Sequence, residues 1–411
     1  MSASLDRRTF LLATTALAAL PAAPAIAQGA PARIGLLTVK TGPLAQGGIQ
    51  MEQGLTAFLK DKSYTLAGRK VELISADTGG NPAGAKTKAQ ELVERDNVDF
   101  IVGPLAAFEL LAISEYIQQS KVPMLSLAAA DDMTQRKANP WLIRASATSS
   151  QCCHALGDYA AKEMKLKRAD TLSEDFAFGY EQMGGFQRVF EDNGGKVVQR
   201  LWPPLVTADY TPYLAQIQDV DGVATGLAGS NPVKFFRQYA DVGLKGKYPV
   251  LGGWTAVDDA LLKSLGDEAV GAISAAFYSS SLDTPSNKHF VEIMLKETEN
   301  TPGGYAAGCY INGMCIEAAL AKTGGATSDK QKLIDALRAV SLEDSPRGAF
   351  SFDHLGNVVG NVFIRKTERK DGKLQNTVIK TYPKVSQFWT YDEKKYLAAP
   401  VYSRDTAPQK L

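Results

Sequence analysis

The chain predicts an α/β protein of two similar halves in series, each a parallel sheet covered by helices on both faces. Three observations carry this. Short apolar runs alternate with amphipathic stretches, the alternation restarts near Arg144, and the chain is longer than one hydrophobic core usually organises. Removing a leader at residue 27 leaves about 384 of the 411 residues, so two domains are expected.

The elements follow in order. Arg33-Ile34-Gly35-Leu36-Leu37-Thr38 reads as a buried strand and Thr41-Gly42-Pro43 as a turn. Residues 49–60 place Met51, Leu55, Phe58 and Leu59 on one helical side. A strand at 71–77 ends in Asp77, Asn81-Pro82 opens a helix to 93, and 99–103 forms a third strand. A helix at 108–119 and a strand at 122–126 complete the first half. In the second half, helices at 151–164, 179–193, 211–218 and 232–242 alternate with strands at 169–172, 196–198, 222–227 and 249–252. The last third carries helices at 305–322 and 329–340 and a β-rich stretch at 349–365 that turns at Gly356-Asn357. A strand-like 385–391 then precedes a polar, loosely ordered end. Such sheets hold ligands at the carboxyl ends of their strands, so the loops after Thr38, Gly103, Ser126, Leu172, Leu227 and Gly252 are the expected site.

The N-terminus carries Arg7-Arg8-Thr9-Phe10-Leu11, an apolar run at 11–20 and Ala25-Ile26-Ala27. This pattern is a twin-arginine export signal over residues 1–27, and the apolar run is about half of the ~20 residues that span a bilayer. The mature chain is expected in the periplasm, and no Cys after the apolar run suggests a lipid anchor.

With 45 basic and 44 acidic residues there is no basic field for nucleic acid or anionic lipid. Cys152, Cys153, Cys309 and Cys315 are free to oxidise in that compartment, but their spacing favours four buried thiols. No pair has CxxC spacing, and His154, His289 and His354 are scattered, so neither a metal nor a cofactor is expected. GxSxG, HExxH and a strand-to-helix GxGxxG are all missing, which argues against an enzyme. A receptor ectodomain would require a membrane span or a signalling domain, and the sequence shows neither.

A set of short motifs, in order and at matching spacing, resembles the periplasmic solute-binding proteins of the branched-chain amino acid (Leu/Ile/Val) type, which feed ABC importers. These are Ile34-Gly35-Leu36-Leu37 with Thr41-Gly42-Pro43-Leu44-Ala45, Asp77 with Asn81-Pro82, and Ile101-Val102-Gly103-Pro104. They continue with Val122-Pro123-Met124-Leu125, Trp141-Leu142-Ile143-Arg144, Phe178-Gly179-Tyr180, Gly194-Gly195-Lys196-Val197-Val198, and the run from Gly348 through Phe352-Asp353-His354-Leu355-Gly356. The resemblance covers essentially the whole mature chain. It implies a type I periplasmic binding fold, with two Rossmann-like lobes joined by a hinge that the chain crosses three times, near 146, 279 and 358. One lobe would comprise 28–145 plus 280–357, and the other 146–279 plus 358–411. A small molecule would bind between the lobes of a monomer, and hinge closure would present the loaded protein to a membrane permease.

The departures from that family bear on the ligand. The relatives hold an α-carboxylate with side-chain hydroxyls after the third and fourth strands, where this chain has Ala107 and Ala130. They pair the ammonium with an acid at or next to the position of Trp254. A buried ammonium without that partner costs several kcal/mol or more, so the resemblance points toward the aromatic-acid branch. Trp254, Phe178, Tyr305 and either Phe108 or Tyr180 would enclose a ring, and Gly47-Gly48 would leave the cleft roomier. A ligand carboxylate would meet backbone N–H groups at Ala106, Ala107 and Phe108, where a helix starts, and at Ala128, Ala129 and Ala130. Arg144 is a further anion-clamp candidate, although its match at the hinge-proximal strand end favours a structural role, and His154 is a weaker one still. Benzoate or phenylpropanoid acids are the expected ligands, with branched-chain amino acids second and urea or amides third.

Overall fold

The computed structural model describes residues 30–411, so the export signal expected over 1–27 lies outside the described residues. The first half runs β1 (Ala32–Thr38), α1 (Ala45–Asp61), β2 (Thr65–Leu66), β3 (Arg69–Asp77), α2 (Pro82–Gln90), β4 (Phe100–Val102), α3 (Ala107–Ser120), β5 (Met124–Leu125) and β6 (Leu142–Ile143). The second runs α4 (Ser149–Lys162), β7 (Arg168–Ser173), α5 (Ala177–Asp192), β8 (Lys196–Leu201), α6 (Thr211–Leu214), β9 (Gly222–Gly226), α7 (Asn231–Asp241), β10 (Val250–Gly252), α8 (Leu262–Leu265) and β11 (Ile273–Ala276). The chain ends with α9 (Pro285–Thr298), α10 (Gly304–Lys322), α11 (Lys330–Arg338), β12 (Ser341–Leu342), β13 (Phe350–Phe352), β14 (Val358–Lys370), β15 (Lys373–Val385) and α12 (Glu393–Ala398).

Two sheets organise these elements. The first has the order β2-β3-β1-β4-β5-β6, and β1 pairs in parallel with β3 and β4, placing Leu36 beside Ser75 and Val102. Ile34, Leu36 and Leu37 are all fully buried, as a strand covered on both faces requires. The second sheet has the order β12-β13-β14-β11-β10-β9-β7-β8, with β15 on β14. Its β7 to β11 part is parallel, whereas β12 to β15 join antiparallel.

The chain passes between the sheets three times. It leaves the first after β6, returns after β11 so that α9 and α10 pack on α1, and goes back to the second with β12. Between β13 and β14 it touches the first sheet again. Arg144 donates its N–H to Gly356 O (2.9 Å) and accepts from Val358 N (3.0 Å), beside the expected crossing at 358.

Two expectations for the C-terminal part are corrected. Residues 386–391 are turns rather than a strand, because β15 ends at Val385 and the buried Gln387 amide donates to Thr134 O (2.9 Å) and Asp353 Oδ2 (2.8 Å). Nor is the polar end loose: the Arg188 guanidinium lies over the rings of Tyr396 and Tyr402 and donates to Tyr402 Oη (2.7 Å) and Gln409 O (2.9 Å). All four cysteines are buried free thiols. Among the described residues, no helix is long and apolar enough to cross a membrane.

Candidate ligand-binding site

A narrow cavity of about 10 Å³, close to the ~10–15 Å³ that admits one water, lies between the two sheets, so its walls must part to admit a ligand. Leu44 comes from the loop after β1; Leu105, Ala106 and Ala107 follow β4; Leu127 and Ala129 follow β5. Opposite stand Phe176 and Phe178 after β7, Ala228 after β9 and Trp254 after β10, while Tyr305 enters from the first turn of α10. Both sheets therefore present strand carboxyl ends to one space, where parallel sheets leave their ligand crevice.

Of the residues singled out from the sequence, Ala106, Ala107, Ala129, Phe178, Trp254 and Tyr305 line this cavity. Phe108 instead packs on Phe176 (5.7 Å between ring centroids), and Tyr180 packs edge-on against Trp202 (5.0 Å). Ala128 is fully buried behind the wall: its N–H donates to Pro104 O (2.9 Å) and Ser126 Oγ (3.0 Å), and its carbonyl accepts from Arg144 Nε (3.0 Å). The Ala130 carbonyl accepts from Arg144 Nη2 (2.7 Å). Sequence reading missed Leu44, Leu105, Leu127, Phe176 and Ala228. Leu44 lay in the quoted Thr41-to-Ala45 motif and Ala228 one residue beyond a flagged strand end, whereas Phe176 carried no signal apart from its place before a helix.

The wall is aromatic. Trp254 meets Tyr305 at 4.7 Å and Phe277 at 5.3 Å, both edge-on, and Phe176 stacks on Phe178 at 5.9 Å with 22° between planes. The Trp254 indole N–H is buried with no acceptor among the described residues. An unmet donor of this kind costs about 1–3 kcal/mol, which a ligand oxygen would recover.

The first-sheet loops supply the polar edge. Glu109, on the first turn of α3, accepts from the Ala106 amide (3.0 Å) and from Thr78 Oγ1 (2.5 Å), which spends the Ala106 N–H and fixes the helix start. The amides of Ala107 and Ala129 have no acceptor among the described residues and stay available beside the positive end of α3. Arg144 is not an anion clamp: it is fully buried, and Ala128 O, Ala130 O, Thr134 Oγ1 and Asn357 Oδ1 occupy its donors. It holds the 128–130 loop in shape. His154 is likewise buried away from the cavity among Trp389, Tyr391 and Tyr396, and burial, then the Arg188 charge, lower its pKa to about 3. Gly47-Gly48 does not widen the cleft either. A Cβ at Gly47 would sit 2.8 Å from the Tyr305 ring and one at Gly48 1.8 Å from Val39 O, so the missing side chains admit protein atoms.

No lining residue is acidic, but carboxyls lie behind the wall. Glu174 accepts from the Ala228 amide (3.1 Å) and Asn231 Nδ2 (2.7 Å), and burial raises its pKa to about 8. Asp131 donates its N–H to Glu181 Oε1 (3.2 Å) across the sheets; burial first, then mutual repulsion, pushes Glu181 well above the carboxylate range.

Two α/β halves that face an apolar, aromatic-walled space are the architecture of a solute-binding protein. The chain belongs to the periplasmic binding protein family, whose model matches residues 31–373. It is a substrate-binding component of the kind that serves ABC transporters. It is 28% identical over 384 residues to the Leu/Ile/Val-binding protein homolog 6 of Brucella melitensis, covering 91% of this chain and 97% of that one. Among solved structures it is similar to a Rhodopseudomonas palustris solute-binding protein in complex with 3,4-dihydroxybenzoic acid, at 33% identity and a TM-score of 0.83 over 87% of this chain and 98% of that one. A second R. palustris solute-binding protein, in complex with 4-hydroxybenzoate, is 29% identical with a TM-score of 0.81 over 87% and 99% of the two chains.

Proposed function

We infer that this protein is the periplasmic receptor of an ABC importer for an aromatic carboxylate of benzoate or phenylpropanoid type. The observation that carries the reading is the wall of Phe176, Phe178, Trp254 and Tyr305 with no acidic side chain lining it. Once the walls part, a ring would be enclosed by those faces, with its carboxylate on the Ala107 amide at the start of α3 and the Ala129 amide after β5. The hydroxybenzoates bound by the two R. palustris proteins support the same chemistry.

The chain divides at its hinge near 146 and 279, and the third crossing falls just before Ser341 rather than at 358, because β12 and β13 pair within the second sheet. Contacts from a ligand to both parts offset the free energy of closure, and the closed monomer delivers its load to a permease. Export would follow from the twin-arginine leader at 1–27.

Glu174 favours a second reading. Its buried Oε2 has no partner among the described residues and lies behind Ala228, where an ammonium would hold the carboxyl ionised. A branched-chain amino acid is the ligand in that case.

The test is a thermal-shift panel of benzoate, 4-hydroxybenzoate, cinnamate, leucine, valine and urea. At ~1,000 times its dissociation constant, a true ligand adds about 4 kcal/mol of stability. Stabilisation by the aromatic acids alone supports the first reading; stabilisation by leucine or valine replaces it with the second.

A further inference from the structure

One ion-and-amide cluster joins the two sheets beside the pocket without lining it. Asp258 follows β10 four residues after Trp254, yet its carboxylate caps a helix that packs on the first sheet. Gly304 N, at the start of the 19-residue α10, donates to Asp258 Oδ2 (2.7 Å). Gln50 of α1 closes the arrangement: its Nε2 approaches Asp258 Oδ1 (3.4 Å) while its Oε1 accepts from Gly303 N (3.1 Å). Asp258 and Gln50 are both buried.

The glycines are required by this contact. A Cβ at Gly303 would fall 1.8 Å from Asp258 Oδ1, and one at Gly304 would fall 2.8 Å from the Trp254 ring. The next residue, Tyr305, and Trp254 itself are pocket walls in mutual contact at 4.7 Å. Capping and ring closure therefore occur together.

We propose that Asp258 is the residue that couples closure of the cleft to ligand binding, acting as an interlobe latch on the N-terminus of α10. The proposal rests on the reading of a ligand held between two hinged lobes. Asp258 touches no ligand; it positions Tyr305 against Trp254 by holding the helix that carries Tyr305.

The charged and titratable groups facing Asp258 are few. Asp259 is its neighbour, Arg365 of β14 is committed to Asp259 (2.7 Å), the buried Tyr278 after β11 faces both carboxylates, and Tyr305 lies on the capped helix. Burial, then the Asp259 charge, raise the Asp258 carboxyl from 3.8 to about 6. Opening the cleft would return Asp258 to solvent and its pKa toward 3.8, so on the latch reading acid favours the closed form as pH falls through about 6.

The experiment measures the affinity of Asp258→Ala and Asp258→Asn for 4-hydroxybenzoate by calorimetry between pH 7.5 and 5.5. Asp258→Ala, which removes the acceptor, is expected to bind at least tenfold more weakly. Asp258→Asn keeps an acceptor for Gly304 N–H and is expected to bind within threefold of wild type at pH 7.5, with a flatter pH profile. Wild-type affinity in the alanine variant, or an unchanged profile in the asparagine variant, overturns the latch. A wild-type protein that binds no aromatic acid overturns the ligand reading alone. The latch is then judged with leucine, the ligand of the second reading, in place of 4-hydroxybenzoate: at least tenfold weaker binding by Asp258→Ala supports it, and equal affinity overturns it.

Discussion

Trp254→Ala tests the aromatic pocket most directly. Trp254 is 2% exposed and presents its indole between Tyr305 and the cavity. If opening of the cleft exposes one indole face and a ligand ring then covers about 50 Å² of it, burial at ~25 cal/mol per Å² contributes about 1.2 kcal/mol. An aromatic pair adds ~0.5–1.5 kcal/mol beyond that area. The sum of about 2 kcal/mol corresponds to a ~30-fold weaker dissociation constant. Truncation also opens a void beside Tyr305 and Phe277, and such large-to-small changes lower stability by ~3–5 kcal/mol, so the melting temperature must be followed in parallel. Trp254→Phe keeps a ring face and most of the packing, and is expected to retain binding within about fivefold, near the ~1 kcal/mol spread of conservative core swaps. Calorimetric titration with 4-hydroxybenzoate reads both variants. Folded Trp254→Ala protein that binds as tightly as wild type would refute the stacking argument and place the ligand elsewhere.

Two further predictions concern the residues first considered as anion clamps. Arg144→Met keeps an unbranched apolar chain but strands the Ala128 and Ala130 carbonyls, at ~1–3 kcal/mol each, so it is expected to lose ~2–6 kcal/mol of stability, read by urea denaturation, with affinity falling as the 128–130 loop relaxes. His154 has a folded pKa near 3, well below its ordinary 6.5, so the stability it contributes is complete above pH 6.5 and is lost as pH falls toward 3. At pH 5 that loss amounts to about 2 kcal/mol at ~1.36 kcal/mol per unit. His154→Leu should therefore melt higher than wild type at pH 5 by more than any difference at pH 8; a pH-independent offset would show that His154 does not titrate in the unfolding transition.

Much of the fold was legible because parallel strands covered on both faces become continuous apolar runs, as in Ile34 to Leu37 and Phe100 to Val102. The edge hairpin β14–β15 was not read. Its outer strand is largely polar and partly exposed, so it lacks that signal, although Asp371 and Gly372, at φ 52° and 77°, form the kind of two-residue turn that marks a hairpin. Helix α9 was also missed, since Pro285 to Thr298 buries few residues and shows little periodicity.

For the site, the sequence by itself determined chemistry. It removed hydroxyls at Ala107 and Ala130, set an indole at Trp254, and placed the loops where parallel strands end. Only the tertiary structure decided which of those residues face the ligand space. The Ala106 and Ala128 amides are equal candidates with Ala107 and Ala129 in sequence, and only the fold shows Glu109 and Pro104 occupying them; for Arg144 the sequence favours a structural role, and the fold supplies its partners Ala128, Ala130, Thr134 and Asn357. Hydrogen-bond satisfaction is settled by partners distant in the chain, such as Asn357 for Arg144 or Gly304 for Asp258. Local pattern can say what a side chain is able to do, but burial and pairing across the fold decide whether it is left free to do it.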